Sequence, residues 1–529
     1  MSKTKIKKQT LPLTEKSVSY ENLNLINKYF WIVIPLFTLI YYISSKYSVG
    51  FYQDDEIGQY INMIQFWSDP FAILGNNPKP GYKIFLVIPA LISYDAVLIT
   101  NALIASVTVF LTYKLLQVYQ VKYAYFGALL LAFQPLFFDL SFRSYSEIFT
   151  ALCLILVLIS YEKKHLILSA LIMGYVFTIR QELALLIIVF FILFIRGKNF
   201  VPAVLLFVFP VIYNLLGFFK TGDILFVMSE MSKVAGLEYK SQGLMHYFKV
   251  YIYIVGPVSL TLFLIGFFSF LKKDKSIFKK YFLFYIIFVS VFIIQMLTMI
   301  NDGPNPGNWR YLLHISPVCA LFATIGLNNL ADENYKSKAL IISGVFALLT
   351  FVFLSKTTDG FILTDTSDYK NFFVILAVIG FTFMFSMKSK VNYINNLSVA
   401  YIILSIVSLF LIFEPKKLSA ENISVKEIST FVSEIPDIRN KQIYSNHSIL
   451  QFFSVQSNID LKNIKTINKK TLADMPSGSI VVWENHYGFR PEWGSDLNIT
   501  DLINNPDFNL LKQFAASDRR FLGYVFEKK

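Results

Sequence analysis

The chain has 529 residues, 55% of them hydrophobic and 16% charged, with 53 Phe and a formal net charge of +13. Its mean hydropathy of +0.53 excludes an ordinary soluble globular domain and identifies a membrane protein. Lys and Arg fall mostly between apolar runs rather than along a polar face, so the positive charge is read as setting orientation in a bilayer, and no nucleic-acid partner is expected.

The first apolar run follows a polar, Lys-rich stretch, residues 1–28, and no small-residue cleavage site comes after it. That stretch therefore reads as a cytoplasmic tail rather than a cleavable signal peptide. With about 20 apolar residues needed per crossing, about thirteen membrane segments are expected, near 29–45, 94–116, 122–139, 146–161, 165–179, 181–196, 199–217, 247–271, 281–300, 311–330, 338–355, 371–387 and 396–413. Cys153 and Cys319 both sit inside apolar runs, as small hydrophobes rather than as a disulfide or a metal site.

The pair 165–179 and 181–196 is short for two crossings, and flanking charge decides the question. With the N-terminus inside, the inner connections contain Lys3, Lys5, Lys7 and Lys8, then Lys122, Lys163, Lys164, Arg196, Lys198, Lys272 to Lys280, Lys336, Lys338, Lys388 and Lys390. The opposite loops carry Asp54, Asp55, Glu56, Asp69, Asp95, Asp139, Asp223, Glu230, Asp302, Asp359, Asp365 and Asp368. This positive-inside pattern holds only if 165–196 crosses twice, and it leaves the C-terminus outside. The expected organisation is a transmembrane unit over 29–413 with a first exoplasmic loop at 46–93, followed by a small exoplasmic α/β domain over 414–529.

That first loop opens with "YQDDEIGQY", which sets Asp54, Asp55 and Glu56 just beyond the first span. The segment that follows is amphipathic and broken by Pro70, Pro78, Pro80 and Pro89. It is too apolar for a free loop and too interrupted for a span, which suits a segment lying along the interface and lining a cavity.

An acidic pair directly after the first helix, an amphipathic outer loop with a Pro-Gly element, many further spans and a soluble C-terminal domain together resemble the GT-C superfamily of polyprenyl-phosphate-dependent glycosyltransferases. The nearest groups are the protein O-mannosyltransferases, the bacterial lipid A aminoarabinose transferase and the lipid-linked mannosyltransferases. The resemblance implies an inverting transferase in a bacterial inner membrane that moves one sugar, of mannose type by the nearest relatives, from a polyprenyl phosphate to an exoplasmic protein, glycolipid or polysaccharide. It implies Asp55 as general base with Glu56 as its neighbour and Asp54 as the alternative register. A sugar on a lipid phosphate already has a good leaving group, so the enzyme chiefly has to deprotonate and align an acceptor hydroxyl. Adjacent acids are expected to raise one another's pKa toward the working pH.

The leaving phosphate needs cations. Arg143 in "FDLSFRSYSE", Arg180 in "FTIRQE" and Arg310 in "GNWRYLLH" all reach the outer face in the expected topology, where guanidinium groups suit bidentate phosphate binding. The resemblance favours Arg310, and it makes Asp139 and Glu147 candidates for acceptor binding or for orienting Arg143. The alternative for the arginines is pairing with a nearby acid: Arg143 with Asp139 or Glu147, Arg180 with Glu182. His314, four residues beyond Arg310, is expected to share its helical face, as a structural or a catalytic group. Lys79 and Tyr82 in "PKPGYK" are candidates for the substrate head group. No cofactor is required; a divalent metal on Asp54, Asp55 and Asp139 is the alternative, without a clear ligand set.

Beyond Glu414, "SVKEISTFVSEI" predicts a helix capped by Ser424, "KQIYSN" and "GSIVVWEN" predict strands, and "NLLKQFAASDRRFLGYVFEK" predicts a strand pair. Trp483, His486, Tyr487 and Trp493 form an aromatic cluster, read as a small core or a membrane-facing belt before a sugar platform. Two rival functions remain: a polysaccharide polymerase or ligase, which would gather arginines and a histidine in a late loop, and a transporter or flippase, which would carry charged or broken sites at mid-membrane.

Overall fold

The computed structural model describes residues 26–74, 79–233, 246–271, 276–298, 308–330, 333–354, 370–388, 393–491 and 494–529. Lys3, Lys5, Lys7, Lys8, Pro78, Lys272, Asp302, Asp359, Asp365, Asp368, Lys390 and Trp493 lie outside those residues.

Each expected apolar run is largely helical over its described residues, but the helices differ in length. Among the described residues, 6 helices can cross a membrane by length and apolar composition, or up to 7 if one bent pair counts as a single span. These are Ile26–Tyr47, Tyr94–Val118, Phe200–Thr221, Ile277–Leu297, Trp309–Leu330 and Ile394–Leu411, with the pair His246–Val255 and Pro257–Phe270 bent by 115°. The bend has a local cause. Gly256 takes φ +81, a left-handed conformation that costs glycine nothing, and Pro257 cannot donate to the preceding turn. The run at 122–139 is likewise broken, into Ala124–Ala132 and Pro135–Leu140. Apolar side chains such as Phe219 (72% exposed) and Phe410 (76%) cover the outer faces of the bundle. In water they would be a liability; against lipid tails they are at home, and the chain is an integral membrane protein.

The bundle is tightest where Pro257–Phe267 crosses Ser316–Leu330. A Cβ on Gly266 would lie 1.8 Å from the Phe322 carbonyl oxygen, and one on Gly326 would lie 2.0 Å from that of Leu262. Two glycines let the backbones touch, the usual route to close packing between helices in lipid. This contact fixes the helix whose N-terminal end carries Arg310.

The segment 46–93 is neither a free loop nor a span. It folds as the helix Asp54–Gln65, a short 3₁₀ turn Pro70–Leu74 and the helix Pro80–Ile92, laid against the ends of the long helices.

The C-terminal domain is built on a sheet of five strands in the order β2-β1-β3-β7-β6. They span β1 Ile443–Tyr444, β2 Ile464–Lys465, β3 Ile480–Glu484, β6 Phe508–Ala515 and β7 Leu522–Lys528; β4 Phe489–Arg490 and β5 Ser495–Asp496 make a separate pair. β1 runs parallel to β2 and β3, whereas β3, β7 and β6 are antiparallel neighbours. The expected strands and strand pair are present. The expected helix is also present as Ala420–Ser433, but its cap is Ser419, whose hydroxyl accepts the Asn422 N–H at 3.1 Å, and Ser424 is a buried residue inside it.

All of β3 is buried because both faces of the sheet are covered. Ile480 and Val482 join a core with the helices Ala420–Ser433 and Ser448–Gln456 that runs on into the membrane bundle. Val481 and Trp483 face a second core with Leu497, Leu502 and Phe526. Phe452 stands at the junction, with its ring centroid 5.0 Å from Tyr94, 5.5 Å from Phe51 and 5.9 Å from Tyr60. The domain is therefore docked on the 46–93 segment through aromatic edges.

Candidate active site

Asp54, Asp55 and Glu56 make up the first turn of the helix Asp54–Gln65. Carboxylates there offset the unpaired N–H groups and the positive end of the helix dipole, which is a local reason for acids at this place. Successive residues of a helical turn point about 100° apart, and the structure sends each carboxylate to a different neighbour.

Glu56 turns inward and is fully buried. One of its oxygens accepts the Tyr52 N–H at 2.7 Å and lies 3.6 Å from Arg143 Nη1. Burial pushes its carboxyl up to about 7, against the opposing pull of Arg143 and the Tyr52 N–H. The carboxyl brought to the neutral range is thus Glu56, and low solvation is the main cause rather than the neighbouring acids that the sequence suggested.

Asp55 faces Arg310, with Oδ2 2.5 Å from Nη2, and keeps 35% of its side chain exposed while the guanidinium is buried. Arg310 also lies 3.5 Å from Glu147 through Nε. The same Glu147 oxygen accepts Arg180 Nη1 at 3.0 Å, and Arg180 Nε is 2.6 Å from Glu182. Both guanidinium planes rest on aromatic faces, Arg310 over Tyr145 at 4.6 Å and Arg180 over Tyr311 at 4.3 Å. Yet Arg310 Nη1 and Arg180 Nη2 are buried donors with no hydrogen-bond partner among the described residues, and the second oxygen of Glu147 is also unpaired. Unmet buried donors on two adjacent guanidiniums are expensive unless an anion sits there in the working state.

Lys79 joins this group through the Pro-Gly element. The Gly81 N–H donates to the Thr178 carbonyl at 3.1 Å, and the Tyr175 hydroxyl donates to the Gly81 carbonyl at 2.5 Å. A Cβ at Gly81 would lie 2.0 Å from Thr178 Oγ1, so only glycine lets this turn press on the one that ends in Arg180. Lys79 is buried, and burial followed by the charge of Arg180 lowers its ammonium to about 8. Tyr82 is also buried, but its hydroxyl is taken up by Asn101 at 3.1 Å. One turn further, Lys83 donates to Asn62 at 2.6 Å.

Arg143 differs from the other two arginines. Its Nη1 donates to the Gly50 carbonyl at 2.6 Å, its Nη2 to the Ser48 hydroxyl at 2.9 Å and its Nε to Asp139 at 3.3 Å. Asp139 in turn accepts Lys416 Nζ at 2.6 Å. The Lys416 N–H donates to Ser48 Oγ at 2.8 Å, and the Gly50 N–H donates to the Lys416 carbonyl at 2.8 Å. This is a clasp joining the end of the first helix, the Asp139–Arg143 turn and the linker into the C-terminal domain. The pairing of Arg143 with Asp139 and of Arg180 with Glu182, which the sequence offered as alternatives, is realised alongside contacts that it did not show.

His314 is buried with both ring nitrogens unpaired among the described residues. Residues 309–315 form a 3₁₀ helix, so His314 eclipses Tyr311 rather than Arg310, and the expected shared face is corrected by the tighter winding.

The metal set Asp54, Asp55 and Asp139 is not brought together: Asp54 accepts the Tyr487 hydroxyl at 2.5 Å, Asp55 pairs with Arg310 and Asp139 with Arg143 and Lys416. Among the described residues the cluster with ligand spacing is Glu421, His447 and His486. Glu421 Oε1 is 3.1 Å from His447 Nε2 and 2.6 Å from His486 Nδ1. Burial alone would raise this carboxyl, but the two histidine contacts take it down to about 2. His447 Nδ1 accepts the Ile449 N–H at 3.3 Å, which keeps the proton of the neutral ring on Nε2, facing Glu421. A metal would need that Nε2 lone pair, so the donor set fits a hydrogen-bonded triad better than a cation.

Trp483 serves the core, its indole N–H donating to the Leu497 carbonyl at 2.8 Å. Tyr487, read from sequence in the same cluster, instead reaches Asp54, while His486 pairs with Glu421. A link across 433 positions leaves no local pattern to find.

No family model matches the chain, and no curated protein matches it. Among solved structures it is similar to ArnT from Cupriavidus metallidurans bound to undecaprenyl phosphate, with a TM-score of 0.58 at 10% identity over 93% of this chain and 97% of that one. The same protein in the apo state gives a TM-score of 0.58 over 96% and 98%. The near-complete overlap covers both the helical bundle and the C-terminal domain, and the chain has the fold seen in ArnT.

Proposed function

We propose that this protein is an inverting glycosyltransferase that takes a sugar from a polyprenyl phosphate and delivers it to an acceptor at the outer surface of a bacterial inner membrane. The observation that carries the reading is the pair of buried donors Arg310 Nη1 and Arg180 Nη2, unmet among the described residues, beside Asp55, on a fold shared with ArnT, which was solved bound to undecaprenyl phosphate. Positive-inside charge supports the orientation.

In this reading the donor phosphate displaces Asp55 from Arg310 and is held by Arg310, Arg180 and Lys79. Asp55, the most exposed member of its ion pair, then takes the acceptor hydroxyl proton as the oxygen attacks the anomeric carbon. The C–O bond to phosphate breaks, and the electron pair leaves on a phosphate already neutralised by the guanidiniums. Glu147 bridges the two arginines through one oxygen, and His314 is buried beside them.

The test is transfer in reconstituted membranes from a panel of polyprenyl-phosphate sugars. Asp55→Asn should abolish turnover while retaining polyprenyl-phosphate binding, and Arg310→Ala should lose both. Wild-type protein that transfers from none of the lipid donors would return the assignment to the polymerase and transporter readings.

A further inference from the structure

Three adjacent carboxylates could compete for one proton, and the C-terminal domain bears on that competition. Its turn Glu484–Gly488 is tightly built. The buried Glu484 carboxylate accepts the N–H groups of His486 at 2.6 Å and Tyr487 at 3.0 Å, and the Gly488 N–H returns to the Glu484 carbonyl at 2.9 Å. A Cβ at Gly488 would meet that carbonyl oxygen at 2.3 Å, so the turn is committed to glycine. The Tyr487 ring is clamped on one face by His486, stacked at 4.0 Å and 16°, and by the edge of His447 at 5.1 Å. Glu421 ties the two histidines together. The Arg490 guanidinium lies over the same ring at 5.3 Å. Out of this frame the Tyr487 hydroxyl reaches Asp54 Oδ2 at 2.5 Å.

We propose that Tyr487 is a positioning residue for the acidic turn: its hydrogen bond holds and screens Asp54, so that Asp55 alone serves as base. The inference rests on the transferase reading given above and extends it, assigning the soluble domain a part in the chemistry. Asp54 and Asp55 are covalent neighbours, and an unscreened Asp54 carboxylate would raise the proton affinity of Asp55 by like-charge repulsion. The charged and titratable groups facing Tyr487 are Asp54, Glu484, Glu421, His447, His486 and Arg490, and of these only Asp54 takes its hydroxyl proton.

The experiment is the pH–rate profile of sugar transfer together with thermal unfolding for wild type, Tyr487→Phe, Asp54→Asn and the double variant. Tyr487→Phe should lower kcat roughly tenfold at neutral pH, the factor that one hydrogen bond to a charged group is worth. It should move the acidic limb of the profile upward, with KM for the lipid donor unchanged. In the Asp54→Asn background, Tyr487→Phe should cost nothing further in kcat. A Tyr487→Phe profile that overlays the wild type, or losses that multiply in the double variant, overturns the proposal. A wild type without transfer removes the transferase reading instead. The unfolding cycle then still decides whether Tyr487 and Asp54 are coupled, and additive stability changes refute the contact itself.

Discussion

Glu147→Gln separates a phosphate-binding role of the arginine pair from a merely structural one, because it should move stability and affinity in opposite directions. Glu147 is fully buried, with one oxygen 3.0 Å from Arg180 Nη1 and 3.5 Å from Arg310 Nε. Glutamine keeps the shape and one acceptor but removes the charge. Withdrawing one member of a buried charge group costs about 3 kcal/mol, at the low end of the usual range because Asp55 and Glu182 remain as counterions. The ligand feels the opposite effect. A phosphate seated on the far side of the guanidiniums would stand roughly 6 Å from the Glu147 carboxylate, and at an effective dielectric of about 20 their repulsion is about 3 kcal/mol. Removing it should tighten undecaprenyl phosphate about a hundredfold. Scanning fluorimetry and titration of radiolabelled undecaprenyl phosphate into the detergent-solubilised variant give the two numbers. Unchanged or weaker binding in Glu147→Gln would refute the placement of the phosphate on Arg180 and Arg310.

Gly81→Ala should force the Thr178 turn away and separate Lys79 from Arg180, lowering transfer by at least about tenfold; equal turnover would show that the turn has room to give. Gly326→Val, where a Cβ already lies 2.0 Å from the Leu262 carbonyl oxygen, should abolish accumulation of folded protein, read as monodisperse yield in detergent. For pH, Glu56 carries its proton up to about 7 in the folded state against an ordinary 4.5. The folded chain therefore holds the extra proton across that window, and the stability it contributes below about 4.5 is lost as pH rises through about 7. Glu56→Gln should flatten that slope in unfolding measured from pH 4 to pH 8, roughly the span the shift covers. Chelation by EDTA should leave the melting temperature unchanged, since the His447 tautomer gives Glu421 a proton to hold; a fall on chelation, restored by zinc, would overturn that reading.

Membrane character was written in composition, and every expected apolar run is largely helical over its described residues because lipid leaves the backbone few alternatives. What escaped the sequence was how runs break: the Gly256–Pro257 bend and the split at Phe133 and Gln134 depend on single residues inside windows that average to apolar. The acids at 54–56 stood out, but that they begin a helix did not, because the Pro-rich text around them reads as irregular. Arg143, Arg180 and Arg310 all stood as phosphate candidates in sequence, with the resemblance favouring Arg310. Only the fold shows that Arg143 is spent on Ser48, Gly50 and Asp139 while the other two keep donors unmet among the described residues. Tyr487 was visible as an aromatic and invisible as a partner of Asp54.

The clasp of Ser48 and Gly50 on Lys416 also bears on biogenesis. Chain that leaves the ribosome first cannot close its site until the linker beyond the last membrane helix has been delivered, and Asp54 must wait further still, for residue 487. Until then the nascent bundle holds Asp139 without Lys416 and an acidic turn without its cover. Such long-range closure is slow to form and late in order. Interrupted synthesis would therefore yield inserted helices with an unassembled site, and the acidic turn would gain its cover only in chains translated past residue 487.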